Sequence, residues 1–193
     1  MTDGVAVQVD GQAAAVSYVS PGQINAQVPD GVGPGTVTVQ VITPAGPSGL
    51  GQVDAEQWAP GFFTYSSGGT TYVAATFADG TLVGKSGLLG SGVDMRPAKP
   101  GDVTSLWGTG FGPTTPTVAA GLLFSGAAPL QAFDELAIAA GNLPVTVQFA
   151  GLSGAGLYQF NVTVPEVPDG DQLITAQING PSTQQPVYLT VQH

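Results

Sequence analysis

The chain has no cysteine among its 193 residues, which excludes disulfides, thiolate metal centres and a cysteine nucleophile. Basic side chains are nearly absent too: three Lys and Arg stand against thirteen Asp and Glu, a formal charge of −10. Three cations cannot neutralise a row of phosphates, so nucleic acid and anionic membrane are excluded as partners. Only 8% of residues are charged, too few for a coiled coil or a charge-rich disordered tail. No apolar run approaches the roughly 18 residues that a membrane-spanning helix needs, so no membrane insertion is expected. The opening Met1-Thr2-Asp3-Gly4 shows no basic region leading into an apolar one, so no signal peptide is read in this chain. A composition rich in Gly, Thr, Ser, Val, Gln and Asn, with little Lys or Glu, reads as an extracellular or cell-surface piece.

What the chain does have is glycine (29) and proline (16), which oppose long helices, and a recurrent alternation of apolar and polar residues. Val5, Val7 and Val9 alternate with Ala6, Gln8 and Asp10; Ile24, Ala26 and Val28 alternate with Gln23, Asn25 and Gln27. Val37/Val39/Val41, Val145/Val147/Phe149, Phe160/Val162/Val164, Ile174/Ala176/Ile178 and Val187/Leu189/Val191 repeat the pattern. Gly-, Pro- and Asp-rich turns separate these runs, among them Val32–Gly35, Thr43–Pro47, Pro168–Asp171 and Asn179–Pro181. Short strands, each with one apolar face and punctuated in this way, predict an all-β chain built as β-sandwich and paired antiparallel.

The runs also recur as a set. Gln23–Pro29 (QINAQVP) matches Gln159–Pro165 (QFNVTVP), Val37–Val41 matches Ile174–Ile178, and Val7–Gly11 resembles Val147–Gly151. Two immunoglobulin-like sandwich units are therefore expected: residues 1–57, and residues 97–193 led by the strand and Gly-rich turn of Pro100–Gly112. Residues 58–96 read as a connecting β-ribbon and loop, with Asp79-Gly80 as a hairpin turn. The stretch 130–140 is compatible with helix or strand.

These motifs, in order, resemble a known family. Tyr18–Pro29 (YVSPGQINAQVP), Ala59–Phe63 (APGFF), Pro97–Val103, Gly108–Pro113 (GTGFGP) and Gly156–Val162 (GLYQFNV) are similar to the uncharacterised C-terminal region of large exported proteins of Acidobacteria, the Solibacter-type family. The Gly-Thr-Gly-Phe-Gly turn, together with the residues after it, also resembles the immunoglobulin-like IPT/TIG fold. The resemblance implies an extracellular β-sandwich module; it supplies no catalytic residues. It also implies an opening strand that this chain lacks, so the first sandwich is expected to miss an edge strand.

Candidate chemistry is sparse. The only histidine, His193, is the last residue, where an imidazole is poorly held for a Ser-His-Asp triad. Gly108–Gly112 lacks the Gly-Lys-Ser/Thr ending of a phosphate loop, and Pro113 and Pro116 oppose a helix after the turn. Asp169 and Asp171 flank Gly170, but calcium needs six to eight oxygens, and no EF-hand is present. No carboxylate pair is set for glycoside hydrolysis. Lys85 and Lys99 are the candidates for an intramolecular amide with Asp or Asn. Gln23/Asn25 and Gln159/Asn161 recur on the polar faces of equivalent runs and read as amide hydrogen bonding that fixes register. Among the aromatics, Trp107 reads as core, whereas Trp58, Tyr65 and Tyr72 are the candidate ligand-binding residues, since stacked aromatic faces suit sugars. The resulting expectation is a module with no catalytic residue, metal or cofactor, binding glycan or protein at a cell surface. The alternative is a self-assembling subunit of a filament or surface layer, joined by strand complementation.

Overall fold

Alternation of apolar and polar residues becomes twenty β-strands, and no α-helix forms among the described residues, in a computed structural model that describes residues 4–193. The chain divides into two compact units. The smaller comprises residues 1–57 together with 117–125 and 154–156; the larger holds the remainder.

The smaller unit contains β1 (Ala6–Val9), β2 (Gln12–Ser20), β3 (Gln23–Gln27), β4 (Gly35–Thr43), β5 (Gly46–Pro47) and β6 (Gly51–Ala55). Their order is β3-β2-β1-β4-β5, with β6 also paired to β4. Strand β2 changes partner along its length. Gln12–Ala14 pair with β1, whereas Ala15–Ser20 pair with β3, with an irregularity in that pairing between Val16 and Tyr18. A strand that leaves one layer for another in this way makes the corner of a sandwich. Among its described residues only Val7, Val9 and Val37 are buried in its core, with Ala14, Val16, Ile24, Val39 and Val41 partly buried against them. The core is thin for a unit of this size.

The larger unit contains β7 (Gly61–Phe62), β8 (Thr64–Ser67), β9 (Thr70–Val73), β10 (Ala75–Thr76), β11 (Leu82–Val83), β12 (Met95–Arg96) and β13 (Val103–Thr109). Then come β14 (Ser125–Pro129), β15 (Leu136–Ala140), β16 (Leu143–Pro144), β17 (Thr146–Gly154), β18 (Leu157–Thr163), β19 (Gly170–Ile178) and β20 (Val187–Val191). One sheet runs β12-β11-β10-β13-β18-β17-β14 with β7 on β13; the other runs β16-β15-β19-β20-β9-β8. Alternate residues of facing strands fill the core between them: Leu106 on β13, Phe160 and Val162 on β18, Ile174 and Ile178 on β19, Leu189 and Val191 on β20. Phe111 is wholly buried among these, with its ring 4.4 Å from Phe160 and 5.7 Å from Phe62.

Three features differ from the sequence expectation. Pairing is not purely antiparallel: β20 lies parallel to β9 and β12 parallel to β11. The segment read as a connecting ribbon supplies β7 to β12, and all six pair into the sheets of the larger unit. Residues 130–140 become one turn of 3-10 helix at Phe133–Glu135 and then strand β15.

That strand also shifts the internal correspondence. By partner, β1 corresponds to β15 and not to Val147–Gly151: β1 pairs with β4, and β15 pairs with β19. Each opens a hairpin closed by two residues of positive φ, Asp10 (+48°) and Gly11 (+73°) in one, Gly141 (+55°) and Asn142 (+72°) in the other. Consecutive positive φ values give the twist that tight hairpins need.

Candidate functional site

Tyr65 and Tyr72 sit opposite each other on β8 and β9, with their rings stacked 5.5 Å apart. Tyr72 is 3% exposed, so it presents no face to a ligand. The cause lies in the segment after β11, which folds over both rings. Tyr65 donates its hydroxyl to the Val83 carbonyl (2.9 Å), and Ser67 donates to the Leu88 carbonyl (2.9 Å). At Gly84 a Cβ would meet the Tyr65 hydroxyl and the Met95 methyl at 2.7 and 2.6 Å. Burial, followed by the neighbouring Tyr72 and the Asp171 carboxylate, pushes the Tyr65 phenol up to about 12. Trp58 is half-buried against the core, and its Nε1 is enclosed without a hydrogen-bond partner. The exposed aromatic row expected from Trp58, Tyr65 and Tyr72 therefore does not form: one residue is buried and the other two are half-covered.

Tyr72 belongs instead to a polar cluster centred on Asp171. That carboxylate accepts hydrogen bonds from Lys85 Nζ (2.6 Å), Thr190 Oγ1 (2.8 Å) and the Tyr72 hydroxyl (3.2 Å). Partial burial pushes Asp171 upward, but the three donors together outweigh it and hold the group below its ordinary value. Lys85 is raised by the same hydrogen bond and is half-exposed. A protonated amine is not a nucleophile, so the arrangement is that of an ion pair rather than of an amide-forming centre. Lys99 uses its backbone N–H, which donates to Asp102 (2.9 Å).

The glycines of Gly108–Gly112 make room for another backbone segment, not for a phosphate. A Cβ at Gly108 would lie 2.7 Å from the Gly61 carbonyl, one at Gly110 would run into the Ala59 carbonyl, and one at Gly112 into the Trp58 indole. The segment Trp58–Phe62 lies in that space, tied by the Ala59 N–H donating to the Gly110 carbonyl (2.9 Å).

Its far end borders a hollow in the larger unit, and a second lies nearby on the same connection. The first, about 250 Å³, is lined by Pro60, Gly61, Phe62, Thr183, Gln184, Gln185 and Val187. The second, about 350 Å³, lies over β15, β16 and β19 and includes Asn142, Thr175, Gln177 and Ser182. Both share the Pro181–Pro186 connection, and neither is lined by a charged residue. Neither hollow was legible in the sequence, because each joins residues far apart in the chain, Phe62 with Gln184 in the first and Ile138 with Gln177 in the second.

The recurrent amides do bond as pairs. Gln23 donates to Asn25 (2.6 Å), Gln159 donates to Asn161 (2.7 Å), and Ser105 on the adjacent strand adds a bond to Asn161 (3.0 Å). Trp107, half-buried, donates from Nε1 to Thr76 (3.2 Å). His193 lies 2.6 Å from Asp169 and 3.7 Å from Glu166, all well exposed. Among the described residues no three of His, Asp and Glu are arranged to hold a metal ion.

Residues 1–55 match the IPT/TIG domain family. The match falls on β1 to β6 of the smaller unit, whereas the Gly-Thr-Gly-Phe-Gly turn points to that likeness at residues 97–193. It supports immunoglobulin-like architecture and does not extend to the Acidobacterial resemblance. No curated protein matches the chain. Among solved structures, the chain is similar to Bacteroides ovatus mixed-linkage glucan utilization locus SGBP-B in complex with a mixed-linkage heptasaccharide. That similarity has a TM-score of 0.36 at 13% identity over 97% of this chain. The chain spans 38% of that structure's length.

Proposed function

We propose that the chain is a non-catalytic binding module of an extracellular or cell-surface protein, and that it engages a neutral glycan at the Pro181–Pro186 connection. The observation that carries this reading is the lining of the two hollows. Amides (Asn142, Gln177, Gln184, Gln185) and hydroxyls (Thr175, Ser182, Thr183) stand beside the apolar surface of Pro60, Phe62 and Pro144, with no acid, base or nucleophile-and-base pair. Uncharged donors and acceptors around an apolar floor suit a ligand that is itself uncharged and rich in hydroxyls. An acid–base mechanism would need titratable groups that these hollows lack.

A glycan array followed by calorimetry tests the proposal. Replacing Gln184 and Gln185 together by Ala should weaken a hit by about tenfold while leaving the melting temperature unchanged, as lost ligand hydrogen bonds require. Unaltered affinity in that double variant would remove the first hollow from the site, and an array without hits would sink the glycan reading. The second reading, strand complementation into a filament, rests on the open outer edges of β3 and β6 in the thin-cored smaller unit. Ordered fibres in negative stain would support it, and a monodisperse monomer at every concentration would remove it.

A further inference from the structure

The smaller unit presents an apolar tip that the glycan reading does not use. Leu123 is fully exposed, Leu122 is 60% exposed and Val28 is 53% exposed. The tip is held, not frayed. Both oxygens of the Asp30 carboxylate accept the Ala120 N–H (3.1 and 3.0 Å), and Gln27 Oε1 accepts the Gly121 N–H (3.0 Å). Gly121 also packs within reach of Ala15 on β2. A fixed loop that holds two leucines in water is pre-organised for contact, since little freedom remains to be lost on binding.

Charge narrows the choice of partner. Every Lys, Arg and His of the chain (Lys85, Arg96, Lys99, His193) lies in the larger unit, so the smaller unit carries acids alone, Asp10, Asp30, Asp54 and Glu56 among them. Asp30 sits at the base of the tip. The Gln12 side chain lies against Gly31, which brings the Asp10-Gly11 turn to the same end. An anionic bilayer would be repelled here, and so would a second copy carrying the same net charge of −10. We propose that the Leu122–Leu123 tip docks into an apolar socket rimmed by Lys or Arg on a partner protein. The leucines and Val28 fill the socket, and Asp10 and Asp30 face the cationic rim.

The test uses the whole chain and, as probe, a synthetic helical peptide of Leu and Lys with an apolar stripe flanked by lysines; a Leu/Glu peptide of the same pattern is the control. Titration by fluorescence anisotropy should show binding of the Lys peptide only, weakening as salt is raised. The L122S/L123S variant should bind at least about tenfold more weakly, as expected for loss of a central apolar anchor. Both residues are exposed, so its circular dichroism and melting should match the unaltered chain. Equal binding by the variant would reduce the attraction to charge alone and overturn the proposal. Two other results would overturn it in favour of another occupant: leucine-dependent flotation with phosphatidylcholine vesicles, or leucine-dependent dimers in sedimentation.

Discussion

Gly110 and Gly80 make a matched pair that isolates what the Gly108–Gly112 turn does. Their φ values are nearly equal, +77° and +84°, but a Cβ at Gly80 meets open space while one at Gly110 runs into the backbone carbonyl of Ala59. A left-handed φ costs a residue with a Cβ roughly 1–2 kcal/mol, and the stiffer unfolded chain offsets about 0.5 kcal/mol of that. Gly80→Ala should therefore destabilise by about 1 kcal/mol. In Gly110→Ala the segment Trp58–Phe62 must also move away. That threatens the bond from Ala59 N–H to the Gly110 carbonyl (2.9 Å) and the bond from Phe63 N–H to the Trp107 carbonyl (2.8 Å). At about 1 kcal/mol for each bond, the total comes to about 3 kcal/mol. For a urea slope of about 2 kcal/mol/M, the midpoint of Gly110→Ala should fall about 1 M below that of Gly80→Ala. Tryptophan fluorescence is the readout, because Trp58 lies in the displaced segment and Trp107 at its anchor. Equal midpoints for the two variants would refute the claim that these glycines exist to admit the Trp58–Phe62 backbone.

Two further predictions concern titration. Tyr65 should remain a phenol until pH approaches 12, so ultraviolet titration of the folded chain should show a late step that Tyr65→Phe abolishes; an unchanged curve would mean the ring is not covered by Gly84–Leu88. His193 is raised above its ordinary value first by its bond to Asp169 and then by Glu166, and Asp169 is lowered in return. The imidazolium thus favours the folded chain at pH below the ordinary histidine value, and this contribution is lost as pH rises through the raised one. The Asp169 share is present above the ordinary aspartate value and is lost as pH falls through the lowered one. In proton NMR, Asp169→Asn should bring the His193 midpoint down, and an unmoved midpoint would show that the pair does not form in solution.

The strands that were legible in the sequence are those in which β-branched or aromatic residues alternate with polar ones. Phe160/Val162 on β18 and Val187/Leu189/Val191 on β20 have one face in the core, and period-two patterning records that directly. Strand β15 escaped because Leu-Ala-Ile-Ala-Ala carries no polar face, and alanine marks neither helix nor strand by itself. Strands β7, β10, β11 and β12 have two residues each, too few for a period to show. The parallel pairing of β9 with β20 joins residues as distant as Tyr72 and Tyr188, which no local pattern encodes. The same limit hid the site. Trp58, Tyr65 and Tyr72 could be recognised as aromatic, but the segment Gly84–Leu88 that covers the two tyrosines has no pattern that reveals what it packs on. The first hollow depends on Phe62 and Gln184 lining one space, which only the tertiary fold brings about.

The smaller unit shows why a boundary read from sequence and a cooperative unit need not coincide. The described residues of its contiguous part, where the IPT/TIG match at 1–55 falls, bury only Val7, Val9 and Val37, little apolar area to offset the entropy of ordering six strands. Residues 117–125 belong to this unit although the chain reaches them only after more than half of its length. They bring backbone donors to the Asp30 and Gln27 side chains. The same bonds that tie this segment to the unit set the direction of Leu122 and Leu123. The stability of the thin core and the presentation of the tip are therefore linked through Asp30. Substituting that residue should disturb both, whereas substituting the leucines should disturb only what the tip touches.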